Sequence, residues 1–202
     1  MKNIAGFTSK IIRRFNSLAK YVAVDLKLLC ESPKDYLYLY TYSNKRRVVM
    51  KPFRKDLSTT GQKIIAKIKH ITPTLKVYFV GSASYKILGL NDVDLLIACP
   101  PQKFEKYTPK LSKLFGEPTK ERKRFVEWKF MRNNIKVEVL LADPSLRSFS
   151  STIKQDQLIK SNNKLLREYV EMKKKLNGSS VRQYVRQRMI FFNRISNLSA
   201  SI

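Results

Sequence analysis

Acidic residues are scarce in this chain: 15 Asp and Glu face 41 Lys and Arg over 202 residues, a formal net charge of +26. With a pI near 10.2 such a chain seeks polyanions. Cysteine is nearly absent too. Cys30 and Cys99 each sit in an apolar stretch, too few for a disulfide framework or a zinc cluster, and the single His70 leaves no histidine-based metal site. A reduced intracellular compartment is the expectation, cytoplasmic or other, with the mitochondrion included. No run of 18 apolar residues occurs, so no helical membrane span and no membrane partner is expected. What is plentiful is ordinary: 43% hydrophobic and 11% aromatic residues, which excludes disorder as the main state. The length suits one domain, or a small core with appended helices.

Residues 1–24 hold five basic side chains and no acid, with apolar positions at Ile4, Phe7, Ile11, Phe15, Leu18 and Val22. Two readings stand: an amphipathic transit peptide, or a basic first helix that packs on the core and continues to about Cys30. After Pro33, residues 36–42 alternate strictly, with Tyr36, Tyr38, Tyr40 and Tyr42 on one face. This spacing predicts a strand, with Arg46–Phe53 as its hairpin partner. The tyrosine face, beside Arg46 and Arg47, suits either base stacking or the covering of a sheet.

Ser58 or Thr59 is the expected cap of a helix that runs to about Ile71, with Ile64, Ile65 and Ile68 as its stripe. A short apolar strand at 77–80 meets Gly81-Ser82, a brief helix reaches Leu88, and a second strand covers 93–99. This alternation predicts an α/β core. Pro100-Pro101 opens a helix that ends at Gly116, and two strands follow, 122–131 and 135–141, joined at Asn133-Asn134. Asp143 is the expected N-cap of a helix at Pro144. From there the pattern is helical: Leu165, Leu166, Tyr169, Met172 and Leu176 form one stripe, and a last helix, capped by Ser179 or Ser180, carries Val181, Tyr184, Val185, Met189, Phe192 and Ile195. Its opposite face is expected to hold Arg182, Arg186, Arg188 and Arg194. Three segments result: a basic helix plus tyrosine-rich hairpin over 1–56, a core over 57–142 and a basic helical region over 143–202.

The chemistry concentrates in residues 77–99. Asp92 and Asp94 stand two apart at the start of an apolar strand, so both carboxylates point to one side, about 7 Å apart at the backbone. Like charges so placed repel unless a cation lies between them. Hard divalent ions take oxygen ligands and leave positions open for substrate phosphates. Glu138, in the strand at 135–141, supplies a third carboxylate, and three acids from two strands suit two metals in a displacement at phosphorus. Gly81-Ser82 opens a helix, so backbone N–H groups with the Ser82 and Ser84 hydroxyls can cradle a phosphate, and Lys86 lies one turn on.

An apolar strand, Gly-Ser, then Asp-x-Asp in a second strand resembles the nucleotidyltransferase superfamily that includes DNA polymerase beta. The GS followed by LNDVDLLI is similar to the compact viral family-X polymerases, over roughly residues 57–142. The resemblance implies an α/β (α+β) fold: a mixed sheet with flanking helices, an N-terminal helix and hairpin, and a C-terminal helical tail. It implies Asp92 and Asp94 as metal ligands, Glu138 as the third carboxylate or base, Ser82 on a triphosphate, and Lys136 near the acceptor. Two departures mark this chain: Ser84-Tyr85-Lys86 stands where those polymerases usually carry an arginine pair, and Glu138 where they usually have Asp. The helical tail resembles GrpB-like nucleotidyltransferases, which implies a Tyr and Lys one turn apart at Tyr169 and Lys173. Lys173 either reaches the triphosphate from above the sheet or lies on a solvated face with Lys174 and Lys175.

The expected activity is Mg²⁺- or Mn²⁺-dependent transfer of a nucleoside monophosphate from an NTP or dNTP to a hydroxyl, with RNA or DNA as the expected acceptor. Arg46, Arg47, Lys136, Arg182 and Arg186 are the expected nucleic-acid contacts. The alternative is a non-catalytic nucleic-acid-binding component of a ribonucleoprotein, such as a ribosome, on the same fold. A third reading keeps the enzyme and changes its acceptor to a tRNA, a protein or a small molecule.

Overall fold

The computed structural model describes residues 39–198. The expected first helix, Cys30, Tyr36 and Tyr38 lie outside the described residues. Helix α1 (Lys55–Ile71) presents Leu57, Gly61, Ile64 and Ile68 inward. It starts a turn ahead of the expected Ser58 or Thr59 cap. The N-cap is Arg54, whose side chain makes no cap bond, and Asp56 in the first turn pairs with Arg54. A carboxylate beside the helix N-terminus offsets the dipole that a capping hydroxyl would otherwise address.

Strands β1 (Lys76–Val80), β2 (Asp92–Ala98), β3 (Lys120–Arg122), β4 (Phe125–Arg132) and β5 (Ile135–Ala142) form one sheet in the order β1-β2-β5-β4-β3. β2 and β5 run parallel and the other neighbours antiparallel, so this is the expected mixed sheet. Helix α2 (Gly81–Ser84) follows β1 directly, and α3 (Phe104–Phe115) follows a 3-10 turn at Pro101–Lys103. Asn133 and Asn134 both take positive φ, 49° and 59°, which a two-residue β4–β5 hairpin requires.

One face of the sheet is apolar. Val93, Leu95, Ile97, Val126, Trp128, Val137, Val139 and Leu141 pack there against Leu57, Ile64 and Ile68 of α1 and Phe104, Tyr107 and Leu111 of α3. Trp128 is fully buried and donates its indole N–H to Gly116 O at 3.0 Å, a core role. The period of two then sends Asp92, Asp94 and Glu138 to the opposite face.

Helices α4 (Arg147–Ser161), α5 (Asn163–Lys175) and α6 (Val181–Leu198) complete the chain. The expected Asp143 cap is corrected: α4 begins at Arg147, and Asp143 instead accepts from Ser145 N at 2.9 Å and from Arg124 Nε at 2.9 Å. Asn162 caps α5 and Ser180 accepts from Gln183 N in the first turn of α6. Ile159, Tyr169, Phe191 and Ile195 form a cluster against Tyr85 and Ile87, and Val48, Met50, Leu176 and Tyr184 form another against Leu88. Both clusters seat the C-terminal helices on the loop that joins α2 to β2.

The tyrosine hairpin is the main correction. Residues 40–42 form a turn and Arg46–Phe53 has no hairpin partner among the described residues. The alternation in 46–51 is real, with Val48 and Met50 buried and Arg47 and Val49 exposed, but its backbone pairs elsewhere. Val48 N donates to Ser179 O at 2.9 Å, Gly178 N to Val48 O at 2.8 Å, Lys51 N to Gly89 O at 2.8 Å and Gly89 N to Lys51 O at 3.0 Å. The segment is a strap between the α5–α6 loop and Gly89.

Candidate active site

Asp94 lies opposite Glu138 in the parallel β2–β5 register and opposite Val80 in the β1–β2 register. Gly81 comes immediately after Val80, so the chain turns into α2 right over Asp94. It does so with φ +77°, and a Cβ there would stand 2.6 Å from Asp94 Oδ2. Only glycine meets both conditions. Ser82 follows at the first turn. Gly89 is a second close approach, because its Cβ would fall 2.6 Å from Ser82 Cβ and 3.5 Å from Lys173 Nζ.

Lys173 comes from α5 and is 1% exposed. Its ammonium donates to Ser82 Oγ and, at 3.0 Å, to Leu88 O, and it lies 5.1 Å from the centre of the Tyr169 ring. Of the two expectations for this residue, the solvated face is corrected: Lys174 and Lys175 are exposed and Lys173 is not. A helix stripe fixed by Tyr169 and Leu176 carries position 173 inward with them. Burial, and then the Arg188 charge, push Lys173 down to about 8, against the pull of Asp92 and Asp94.

Burial, then the charges of Asp92 and Glu138, push Asp94 up to about 7. Glu138 is raised as well, first by burial, while Lys129 at 3.4 Å and Lys136 at 4.0 Å work in the opposite direction. The three-carboxylate cluster expected from the sequence is not closed: among the described residues no three Asp, Glu, His or Cys side chains gather as a metal site. The physical reason is on β4, where Lys129 holds both Glu127, at 2.9 Å, and Glu138. Asp92 and Asp94 keep the donor chemistry of a hard divalent cation. Mutual repulsion raises Asp94, and a cation would relieve it.

The remaining expected residues fall in different places. Ser84 donates its hydroxyl to Gly81 O at 2.9 Å, within its own turn. Lys86 is exposed, with φ +58°. Lys136 is exposed opposite Asp92 in the β5 register, on the carboxylate face. Arg46 and Arg47 are exposed on the strap, and Arg186 is half-buried on α6. Arg182 spends donors on Tyr42 O at 3.1 Å and Tyr40 O at 3.3 Å, with its guanidinium 5.0 Å from the Tyr40 ring centre. That pins the 40–42 turn to α6.

Arg188 is the site residue that sequence pattern assigns elsewhere. Its expected place on the basic outer face of the last helix is corrected: Tyr184, Phe191 and Ile195 are buried, and position 188 continues their spacing. Arg188 keeps its access to solvent and lies within electrostatic reach of Tyr169, Tyr184 and Asp94. Burial pulls its pKa down, but Tyr169, Tyr184 and Asp94 outweigh that and raise it.

No family model and no curated protein matches the sequence. Among solved structures the chain is similar to Cid1, studied for RNA terminal uridylyl transferase activity, at 15% identity and TM-score 0.42 over 57% of this chain and 38% of that one. It is similar to the Cid1 poly(U) polymerase with MgGTP bound, at 12% identity and TM-score 0.40 over 57% and 41%. It is also similar to Cid1 in complex with the UTP analog UMPNPP, at 16% identity and TM-score 0.43 over 61% and 38%. The chain spans about two fifths of the length of these proteins.

Proposed function

We propose that this chain is a divalent-metal-dependent nucleotidyltransferase, which moves a nucleoside monophosphate from an NTP or dNTP to a hydroxyl of a nucleic acid. The observation that carries the reading is the Gly81-Ser82 turn, pressed onto Asp94 and met from the other side by the buried Lys173 ammonium. Donors suited to phosphate and carboxylates suited to a metal thus lie side by side.

In the reaction the acceptor oxygen attacks the α-phosphorus, the bond from that phosphorus to the bridging oxygen breaks, and pyrophosphate leaves. Asp92 and Asp94 would hold Mg²⁺ or Mn²⁺, which when bound neutralises charge that builds on the phosphoryl oxygens. Ser82 and Lys173 bind the leaving phosphates, and the Gly81 turn lets the backbone approach them closely. Glu138 takes the hydroxyl proton at a carboxylate oxygen that Lys129 and Lys136 keep oriented. Lys136, exposed beside Glu138, favours an anionic acceptor there.

The test offers α-labelled ATP, GTP, CTP and UTP, and the dNTPs, with single-stranded RNA, tRNA or primed DNA, and uses Asp92→Asn as the blank. Label in the acceptor that the variant fails to transfer is the expected result. No transfer, with salt-sensitive RNA binding intact in both proteins, would replace this reading by a ribonucleoprotein component.

A further inference from the structure

Two helices face each other across the top of the site, and each breaks its own pattern at one position. On α5 the inward stripe is Tyr169, Lys173 and Leu176, and on α6 it is Tyr184, Arg188, Phe191 and Ile195. Every other member is buried and mostly apolar, and the Tyr169 and Phe191 rings stack 5.1 Å apart to lock the helices together. Lys173 therefore sits where packing alone would select an apolar residue, and Arg188, on the same helix face as its buried neighbours, stays open to solvent. Tyr169, Tyr184 and Asp94 all lie within electrostatic reach of the Arg188 guanidinium and favour its charged form.

Two like charges on one side of the site repel, and Arg188 accordingly lowers the pKa of Lys173. The acids that act on them, Asp94 on both and Asp92 on Lys173, are those suited to a metal. A polyphosphate answers both cations, and a guanidinium grips it bidentately where an ammonium cannot. From the two stripes and the two cations they carry, we infer that Arg188, delivered by α6, is the guanidinium that, with Lys173, binds the polyphosphate end of the nucleotide. This rests on the nucleotidyltransferase reading for the identity of the ligand and on the paired cations alone for its polyanionic chemistry.

The experiment measures binding of inorganic tripolyphosphate by calorimetry to the full chain and to Arg188→Gln, Arg188→Lys and Arg194→Gln. Arg194 lies on the same helix, is paired with Glu168 and is the control. The expected result is a loss of about tenfold or more in Arg188→Gln, partial recovery in Arg188→Lys and no loss in Arg194→Gln. In steady-state transfer the same loss appears in KM for the nucleotide more than in kcat. Wild-type affinity in Arg188→Gln, an equal loss in Arg194→Gln, or no tripolyphosphate binding by the wild type would each overturn the inference. Arg188-dependent binding without any nucleotide transfer would sustain the inference and overturn the proposed reaction.

Discussion

With the Asp94 carboxyl pushed up to about 7 by burial, Asp92 and Glu138, the folded protein holds a proton that the unfolded chain releases at far lower pH. Stability that depends on this proton is present at low pH and is lost as pH rises from about 4 to about 7. Asp94→Asn removes the dependence, so its Tm should exceed that of the wild type at about pH 8 and match it at about pH 4. Added Mg²⁺ should raise the Tm of the wild type, and that of the variant far less. An equal Tm difference at both pH values contradicts the assignment. Gly89 gives a second prediction, because an Ala there drives its Cβ to 2.6 Å from Ser82 Cβ. Gly89→Ala should cost about 1–3 kcal/mol in urea unfolding and raise KM for the nucleotide. That Asp92, Asp94 and Glu138 share one sheet face was legible because a strand's period of two fixes which side chains lie together. Arg188 was not, because charge type suggested an outer face and only the positions of Tyr184, Phe191 and Ile195 reveal the inner one.

The strap at 46–51 decides how firmly α5 is held over the site. Met50 N donates to Asn177 Oδ1 at 2.8 Å, at the loop where α5 ends, and Lys51 pairs with Gly89 beside Ser82. One extended segment thus links the end of the lysine-bearing helix to Gly89, which packs against Ser82. Asn177→Ala should destabilise by about 1 kcal/mol, since a half-buried N–H loses its acceptor, and should weaken nucleotide binding although residue 177 touches no substrate. Unchanged KM in that variant would make the strap a matter of stability alone. Elements with their own breakers, such as α3 between Pro100 and Gly116 or the Asn133-Asn134 hairpin, were readable from the sequence. The strap was not, because alternation identifies an extended segment and leaves its partner open, and this partner is 127 residues away.

Across the whole molecule, charge and site are segregated. A chain of net +26 keeps Asp92, Asp94 and Glu138 together on one sheet face, where Lys129, Lys136, Lys173 and Arg188 surround them. On the proposed reading the excess positive charge would supply the affinity for a nucleic acid, so the binding constant for single-stranded RNA should fall steeply with salt, by about 0.7 in log–log slope per phosphate neutralised. A flat salt dependence would contradict the polyanion partner. The composition points to a polyanion, while the acceptor's identity depends on surfaces that no single motif encodes. The central claim is the cleavage point on the nucleotide. It is tested by parallel reactions with α-labelled and γ-labelled NTP in Mg²⁺, for the wild type and Asp92→Asn. Label from the α position in the acceptor, label from the γ position in pyrophosphate, and neither in the variant is the predicted result. Label from the γ position in the acceptor or in free phosphate, or transfer undiminished in Asp92→Asn, would contradict it.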